Sequence, residues 1–399
     1  MLQLILGEAG TGKTTETLRR IRASAARQQP ALLLVPEHAS FEMERRVSAL
    51  FNTEEQRYVT LYSFPRLAEN IFRECGGLTL RPMDEVSRAL LMREAIAEVA
   101  DALTLYRRQA AYPGFVTAML QTVADFKRAG LTPQAVAELS RQTGGALGQK
   151  LRDMQLIFDA FQALVEQRFH DPLDELTLAL ARAEEKNWFA GRQVWVDSFD
   201  YFSVSERAML QHILLAADAL TISMTCPALD AGEDTVVCQK KFLLRMRAYA
   251  AAHGCECEKP LILTEDKRHQ NAELAALQRA FTWPQTAALA AGESLQLIEA
   301  PTVYEEMRFA AAEISRLVRE NGLRYRDCVI LCRDLDRYRN AKTVLEEYGL
   351  PYFCGEKQNI LFAPLPFFLL TALEAAAGSL KTPAILRLAR SAASGLSPQ

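Results

Sequence analysis

The chain has 399 residues, of which 49% are hydrophobic and 24% charged, and its net charge is −3. That balance describes an ordinary globular protein with room for roughly two or three domains. It excludes a global basic field, so any DNA contact would depend on local grooves. No stretch reaches the length of a membrane span, and the N-terminus already reads as a strand, which leaves no room for a signal peptide and points to the cytoplasm.

Residues 2–6, Leu-Gln-Leu-Ile-Leu, read as a short buried strand. Directly after them stands Gly7-Glu8-Ala9-Gly10-Thr11-Gly12-Lys13-Thr14, which fits G-x-x-x-x-G-K-[ST], and a helix is expected over 15–21. Strand, glycine turn and helix are the geometry that phosphate binding needs. Backbone N–H groups close around the phosphates, and the helix N-terminus adds favourable potential. The pattern predicts a nucleoside triphosphate site. Lys13 would reach the β- and γ-phosphates, the Thr14 hydroxyl would hold Mg²⁺, and Thr15 would complete the cradle at the helix start. Gln3, just ahead of the loop, is a candidate for the adenine, and an exposed strand-start glutamine is an equal reading.

A second buried strand is expected at 30–36, followed by a loop over 36–41 and a charged helix over 42–50. A third strand-like run, 57–61, leads into Tyr62-Ser63-Phe64-Pro65-Arg66. This alternation implies a parallel sheet with helices on its faces. From 84 to 190 the period becomes almost wholly helical, with Pro113, Pro133 and Pro172 as punctuation. An all-helical insertion between sheet strands is the expectation.

Strand character returns at 193–199 and 219–224, whereas 228–290 is less regular apart from an Ala-rich helix around 271–281. A second αβ set is expected next: strands at 295–298, 328–332 and 352–354, with helices over 303–321 and 338–348. Two further helices, 367–377 and 383–393, precede a tail without a closing element, as in the N-terminal piece of something longer. The eight cysteines, Cys75, Cys226, Cys238, Cys255, Cys257, Cys328, Cys332 and Cys354, lack zinc-knuckle spacing, and reduced, structural roles are expected for them.

A phosphate-binding loop works with a carboxylate at the end of a neighbouring strand, and Val194-Trp195-Val196-Asp197 supplies one. Asp197 is the candidate second Mg²⁺ residue. Hydrolysis also requires a group to activate water. In many ATP-driven motors this is a glutamate directly after the aspartate, but here Ser198 follows, and a hydroxyl is a poor base. Asp200 is a weak substitute. ATP binding with feeble or no turnover is therefore expected. Arg333, after the 328–332 run, is either an arginine finger or part of a solvated charge cluster.

In their order these residues resemble superfamily 1 helicases of the UvrD type. Residues 196–200 stand where D-E-x-Q is expected, and Gly349-Leu350-Pro351-Tyr352 matches the "GIPY" that follows motif IV. More closely, the chain is similar to the AddB (RexB) subunits of bacterial AddAB helicase–nucleases. The similarity rests on the glycine loop, Leu33-Leu34-Val35-Pro36-Glu37-His38, 63–68, 194–206 and, most specifically, 305–362. The resemblance implies a RecA-like (P-loop NTPase) α/β domain over 1–83 and 191–290 with a helical insertion at 84–190. The start of a second RecA-like domain would occupy 291–399. It further implies ATP and Mg²⁺ as cofactors, an AddA-like partner, DNA as substrate and a degenerate motor. A [4Fe–4S] cluster belongs to the family's C-terminal nuclease domain, which this sequence does not include, so these cysteines are not assigned to it. Phe41, Tyr62, Phe64 and Arg66 follow sheet strands where related helicases stack single-stranded bases, and a core role is equally open for Phe64. Two further readings are an active helicase motor and a P-loop small-molecule kinase. The helical insertion argues against the kinase, and a pure interaction scaffold would require that nucleotide never bind.

Overall fold

A computed structural model describes residues 1–77, 81–229, 236–269, 271–282, 292, 294–335, 337–354, 360–378, 380–391, 393 and 395. The tail from 396, expected to lack a closing element, lies outside the described residues. The chain divides into two units, Met1–Leu295 and Gln296–Gln399.

Unit one is built on a six-stranded sheet. Its strands are β1 (Leu2–Gly7), β2 (Ala31–Leu34), β3 (Val59–Tyr62), β6 (Gln193–Val196), β7 (Ala219–Thr225) and β8 (Leu261–Leu263), in the order β3-β2-β6-β7-β1-β8. All neighbours run parallel. β1 and β2 read as continuous apolar runs because a parallel sheet with helices on both faces buries both sides of its central strands. The period of two then sorts each run. Leu32 and Leu34 join one core, and Leu33 and Val35 join the opposite one. Helices α1 (Lys13–Ala25) and α2 (Glu37–Leu50) cover the second face through Leu18, Ile21 and Met43. A short α3 (Thr53–Gln56) leads into β3. α4 (Phe64–Cys75), α9 (Glu175–Lys186), α10 (Val204–Ala216) and α11 (Val237–Ala252) cover the first face.

Between α4 and α9 the chain forms α5 (Glu85–Val99), α6 (Pro113–Arg128), α7 (Pro133–Gln142) and α8 (Gly145–Arg168). These pack on a core of their own that includes Met92, Ile96, Ile157, Phe158 and Phe161. The way in and the way out are clipped together by a two-residue parallel ladder between β4 (Arg81–Pro82) and β5 (Phe169–His170). α12 (Ala272–Thr282) follows β8.

Three local expectations change. α2 starts at Glu37 rather than 42, so the loop expected at 36–41 is helical and Phe41 lies on it; Glu37 in its first turn suits the helix dipole. β8 and α11 fall in the stretch read as irregular. In unit two, α13 (Val303–Glu320), α14 (Ala341–Glu347), α15 (Pro364–Ala377) and α16 (Thr382–Ala389) form, but no strand does among the described residues. Cys328 is extended at φ −104° and ψ 142° without a ladder partner, Cys328 and Cys332 are only half-buried, and Leu331 and Phe353 are exposed. Apolar composition signals a need for burial, whereas a strand also needs a neighbouring backbone in register. No helix among the described residues is long and apolar enough to cross a membrane.

Candidate functional site

β1, β6, β7 and β8 all end at one edge of the sheet, and the site is built there. β1 passes into the glycine loop at Gly7. A Cβ on Gly7 would lie 2.5 Å from the Leu263 carbonyl oxygen and 2.5 Å from Thr11 Oγ1, so a side chain would force β8 and the loop apart. Gly12, the residue before α1, has a φ of +87°, a left-handed conformation open to glycine. Buried Thr11 donates from Oγ1 to the Glu8 carbonyl at 2.9 Å and braces the loop across its width. α1 therefore begins at Lys13, and the first N–H groups of a helix have no intrahelical acceptor.

Lys13 Nζ folds back on the loop, donating to the Glu8 carbonyl at 2.7 Å and the Gly7 carbonyl at 3.2 Å. Burial pulls its pKa below the usual lysine value; the Asp197 charge opposes that pull and the Arg268 charge adds to it. Thr14 Oγ1 donates to Asp197 Oδ2 at 2.8 Å across 183 residues of sequence. Asp197 is only 2% exposed, and its N–H donates to the Leu34 carbonyl at 3.0 Å, which fixes it beside β2. Ser198 Oγ donates to the same carboxylate oxygen at 3.0 Å, from a backbone with a φ of +66°. These groups face a cleft of about 450 Å³ that Thr15, Asp200 and Arg46 also line.

The structure thus gathers the glycine loop, Thr14, Thr15, Asp197, Ser198 and Asp200 around one space. Within unit one it places the other candidates elsewhere. Gln3 stands at the far end of β1, where it donates to Glu258 Oε1 and accepts from Thr221 Oγ1, each at 3.0 Å. Phe64 is 3% exposed, with its ring edge-on to Phe199 at 5.4 Å, so it has no face to offer a base. Tyr62 is half-buried and packs on the same core, and burial raises its phenol pKa. Phe41 is 78% exposed on α2. Arg66 is exposed and pairs with Glu44 at 2.9 Å. Arg333 is exposed and belongs to unit two.

Sequence reading missed four side chains at this edge. Arg46 comes from α2, and Lys267 and Arg268 come from the turn after β8. Gln278 on α12 donates to the Ala9 carbonyl at 2.8 Å. The signal for the turn was the run Leu261-Ile262-Leu263 ahead of charged residues, a strand end too short to stand out.

A parallel sheet in this order, with a glycine turn from β1 into α1 and an aspartate at the end of β6, defines a RecA-like α/β protein. Comparison with known proteins takes this further. The family described as "ADDB, N-terminal" matches residues 4–278, and the chain belongs to that family. Bacterial proteins named as the B-type subunits of an ATP-dependent helicase/deoxyribonuclease are similar over nearly the whole chain. The one from Thermoanaerobacter sp. (strain X514) is 30% identical over 94% of this chain and 33% of its own length. Those from Clostridium tetani and Symbiobacterium thermophilum are 30% and 32% identical, again over 94% of this chain and 34% of theirs. The chain spans about a third of the length of the relatives it matches.

Proposed function

We propose that this chain is the ATP-binding part of a helicase–nuclease subunit that works beside an AddA-like partner in the cytoplasm, processing DNA ends for recombinational repair. Residues 1–83 and 191–290 would form its nucleotide domain, 84–190 a helical insertion, and 291–399 the start of a second RecA-like domain. The observation that carries the reading is the Thr14–Asp197 hydrogen bond beside Lys13. It pairs two hard oxygen ligands next to a cationic glycine loop, a donor set suited to Mg²⁺ with a phosphate chain. Thr14 and Asp197 would hold the Mg²⁺, which when bound screens the phosphate charge. Lys13 would leave its loop carbonyls for the phosphates, and the loop N–H groups would fix their position. The names of the relatives support the helicase–deoxyribonuclease context.

Turnover is expected to be feeble. The hydroxyl of Ser198 is committed to Asp197 and is a poor proton acceptor. The second reading, an active motor, draws on Asp200, an exposed carboxylate lining the same cleft. The test is equilibrium binding of Mg–ATP together with hydrolysis in the presence of single-stranded DNA, beside Lys13→Ala and Ser198→Glu. Binding weakened roughly tenfold to a hundredfold in Lys13→Ala, with little turnover in the wild type, is the expected result. Wild-type affinity in Lys13→Ala would refute the nucleotide site, and robust wild-type turnover would favour the active motor.

A further inference from the structure

Ser223, on β7, is 2% exposed, and its Oγ makes no hydrogen bond among the described residues. A hydroxyl taken out of water without a partner is unfavourable, so buried polar groups normally find one. Its neighbour on the same face of β7 does so: Thr221 Oγ1 donates to Gln3 Oε1 at 3.0 Å. Within unit one, Thr17 and Ser63 also carry buried hydroxyls without a partner among the described residues, but neither lines the cleft. Ser223 does line it. The cleft is therefore where a partner for this hydroxyl can enter.

Sheet register says what would meet it there. Ile222 pairs with Val196 of β6, so Ser223 and Asp197, the next residues on two parallel strands, stand level. Level residues on adjacent strands, about 4.8 Å apart, point to the same face. On its other side Ser223 pairs with Ile5 of β1, whereas Thr225 pairs with Gly7, where the glycine loop begins. Ser223 thus lies two residues deeper than the start of the phosphate cradle and beside the carboxylate that pairs with Thr14. Mg²⁺ gives up its waters reluctantly and keeps several of them in protein sites. A hydroxyl has two lone pairs for such a water, and a water is fixed where two or more polar groups reach it. We propose that Ser223 is a positioning residue for the hydrated Mg²⁺ of the nucleotide, its Oγ fixing a water of the ion's shell beside Asp197. The inference rests on the nucleotide reading above and adds a residue from outside the glycine loop and the 197–200 segment.

The test uses the full 399-residue chain and measures ATP affinity in chelator and across a Mg²⁺ titration, together with the melting temperature without ligand. Ser223→Ala is expected to raise the Mg²⁺ concentration of half-effect by about threefold to tenfold, the loss of one hydrogen bond. ATP affinity in chelator should stay at the wild-type value. The melting temperature should be equal or higher, because the variant removes a buried hydroxyl that the fold itself does not engage. Ser223→Cys keeps the shape but bonds water poorly, and should shift the Mg²⁺ dependence in the same way. A wild-type Mg²⁺ dependence in Ser223→Ala or in Ser223→Cys, while Asp197→Asn loses its own, would overturn the role of Ser223 and spare the nucleotide site. A lower melting temperature, or an equal loss of affinity in chelator, would make the hydroxyl structural and overturn the proposal too. If the wild type binds no ATP with or without Mg²⁺, the nucleotide reading fails and this inference with it.

Discussion

Asp197 Oδ2 accepts two hydroxyl hydrogen bonds, from Thr14 at 2.8 Å and Ser198 at 3.0 Å, in a nearly closed setting. An asparagine would keep the shape and an accepting oxygen but lose the charge that a divalent cation needs. Asp197→Asn should therefore leave the fold stable to within about 1 kcal/mol. It should abolish the gain in ATP affinity that Mg²⁺ gives the wild type, read by titrating nucleotide with Mg²⁺ and with chelator. An undiminished Mg²⁺ effect would remove Asp197 from the metal site. Ser198 beside it holds a left-handed backbone at φ +66°, which costs a residue with a Cβ about 1 kcal/mol and turns its short hydroxyl toward Asp197. At this scale the sequence was informative where the chemistry is contiguous. Gly7 to Thr14 is one uninterrupted motif, and Asp197 closes a recognisable strand. It was uninformative where burial decides, because Phe64 and Phe41 look alike on paper, yet only the latter is exposed.

Among the elements, the junction between the helical layer and the sheet depends on Asp171, just past β5. Its side chain, 1% exposed, pairs with Arg88 of α5 and with Lys127 of α6 at 2.8 Å, and Lys127 also reaches Asp174 at 2.6 Å. Burial pushes the Asp171 carboxyl up, but Lys127, the Leu173 N–H and Arg88 together hold it below the usual aspartate value. A carboxyl with a lowered folded pKa contributes fully above the ordinary carboxylate range. That contribution is lost as pH falls through the folded value. Asp171→Asn should thus cost about 3 kcal/mol at pH 7, and its deficit against wild type should shrink below about pH 4, as measured by urea unfolding across pH. A deficit that stays constant into acid would show that the charge is not what matters. None of this network is visible in sequence, because Arg88, Lys127 and Asp171 meet only after the helices of the layer have packed. The elements themselves were legible where a run was long or flanked by glycine and proline. β8, with three residues, was not, and the strands expected in unit two lacked the partner that no single segment can reveal.

The two units differ in how much each buries. Unit one sets its sheet between two cores and adds a third in the helical layer, whereas among the described residues the buried cluster of unit two comprises Met307, Ala311, Val344, Leu345 and Leu350. Each fully buried large aliphatic side chain contributes about 1.5–3 kcal/mol, so a set this small supports little stability against the entropy of ordering the chain around it. Leu297 and Phe353 in the same unit are 100% and 95% exposed and contribute nothing to that core. Opening should therefore cost least in unit two. Native-state amide exchange is expected to show the strongest protection in β1, β6 and β7, and markedly weaker protection in α13 and α14. Met307→Ala removes one of the larger side chains of the small cluster, more buried than Leu345 or Leu350, a change that typically costs about 2–5 kcal/mol. It should collapse protection in α13 and α14 while β1 and β7 keep theirs. Equal protection across both units in the wild type, or a uniform fall in the variant, would mean that the units open as one.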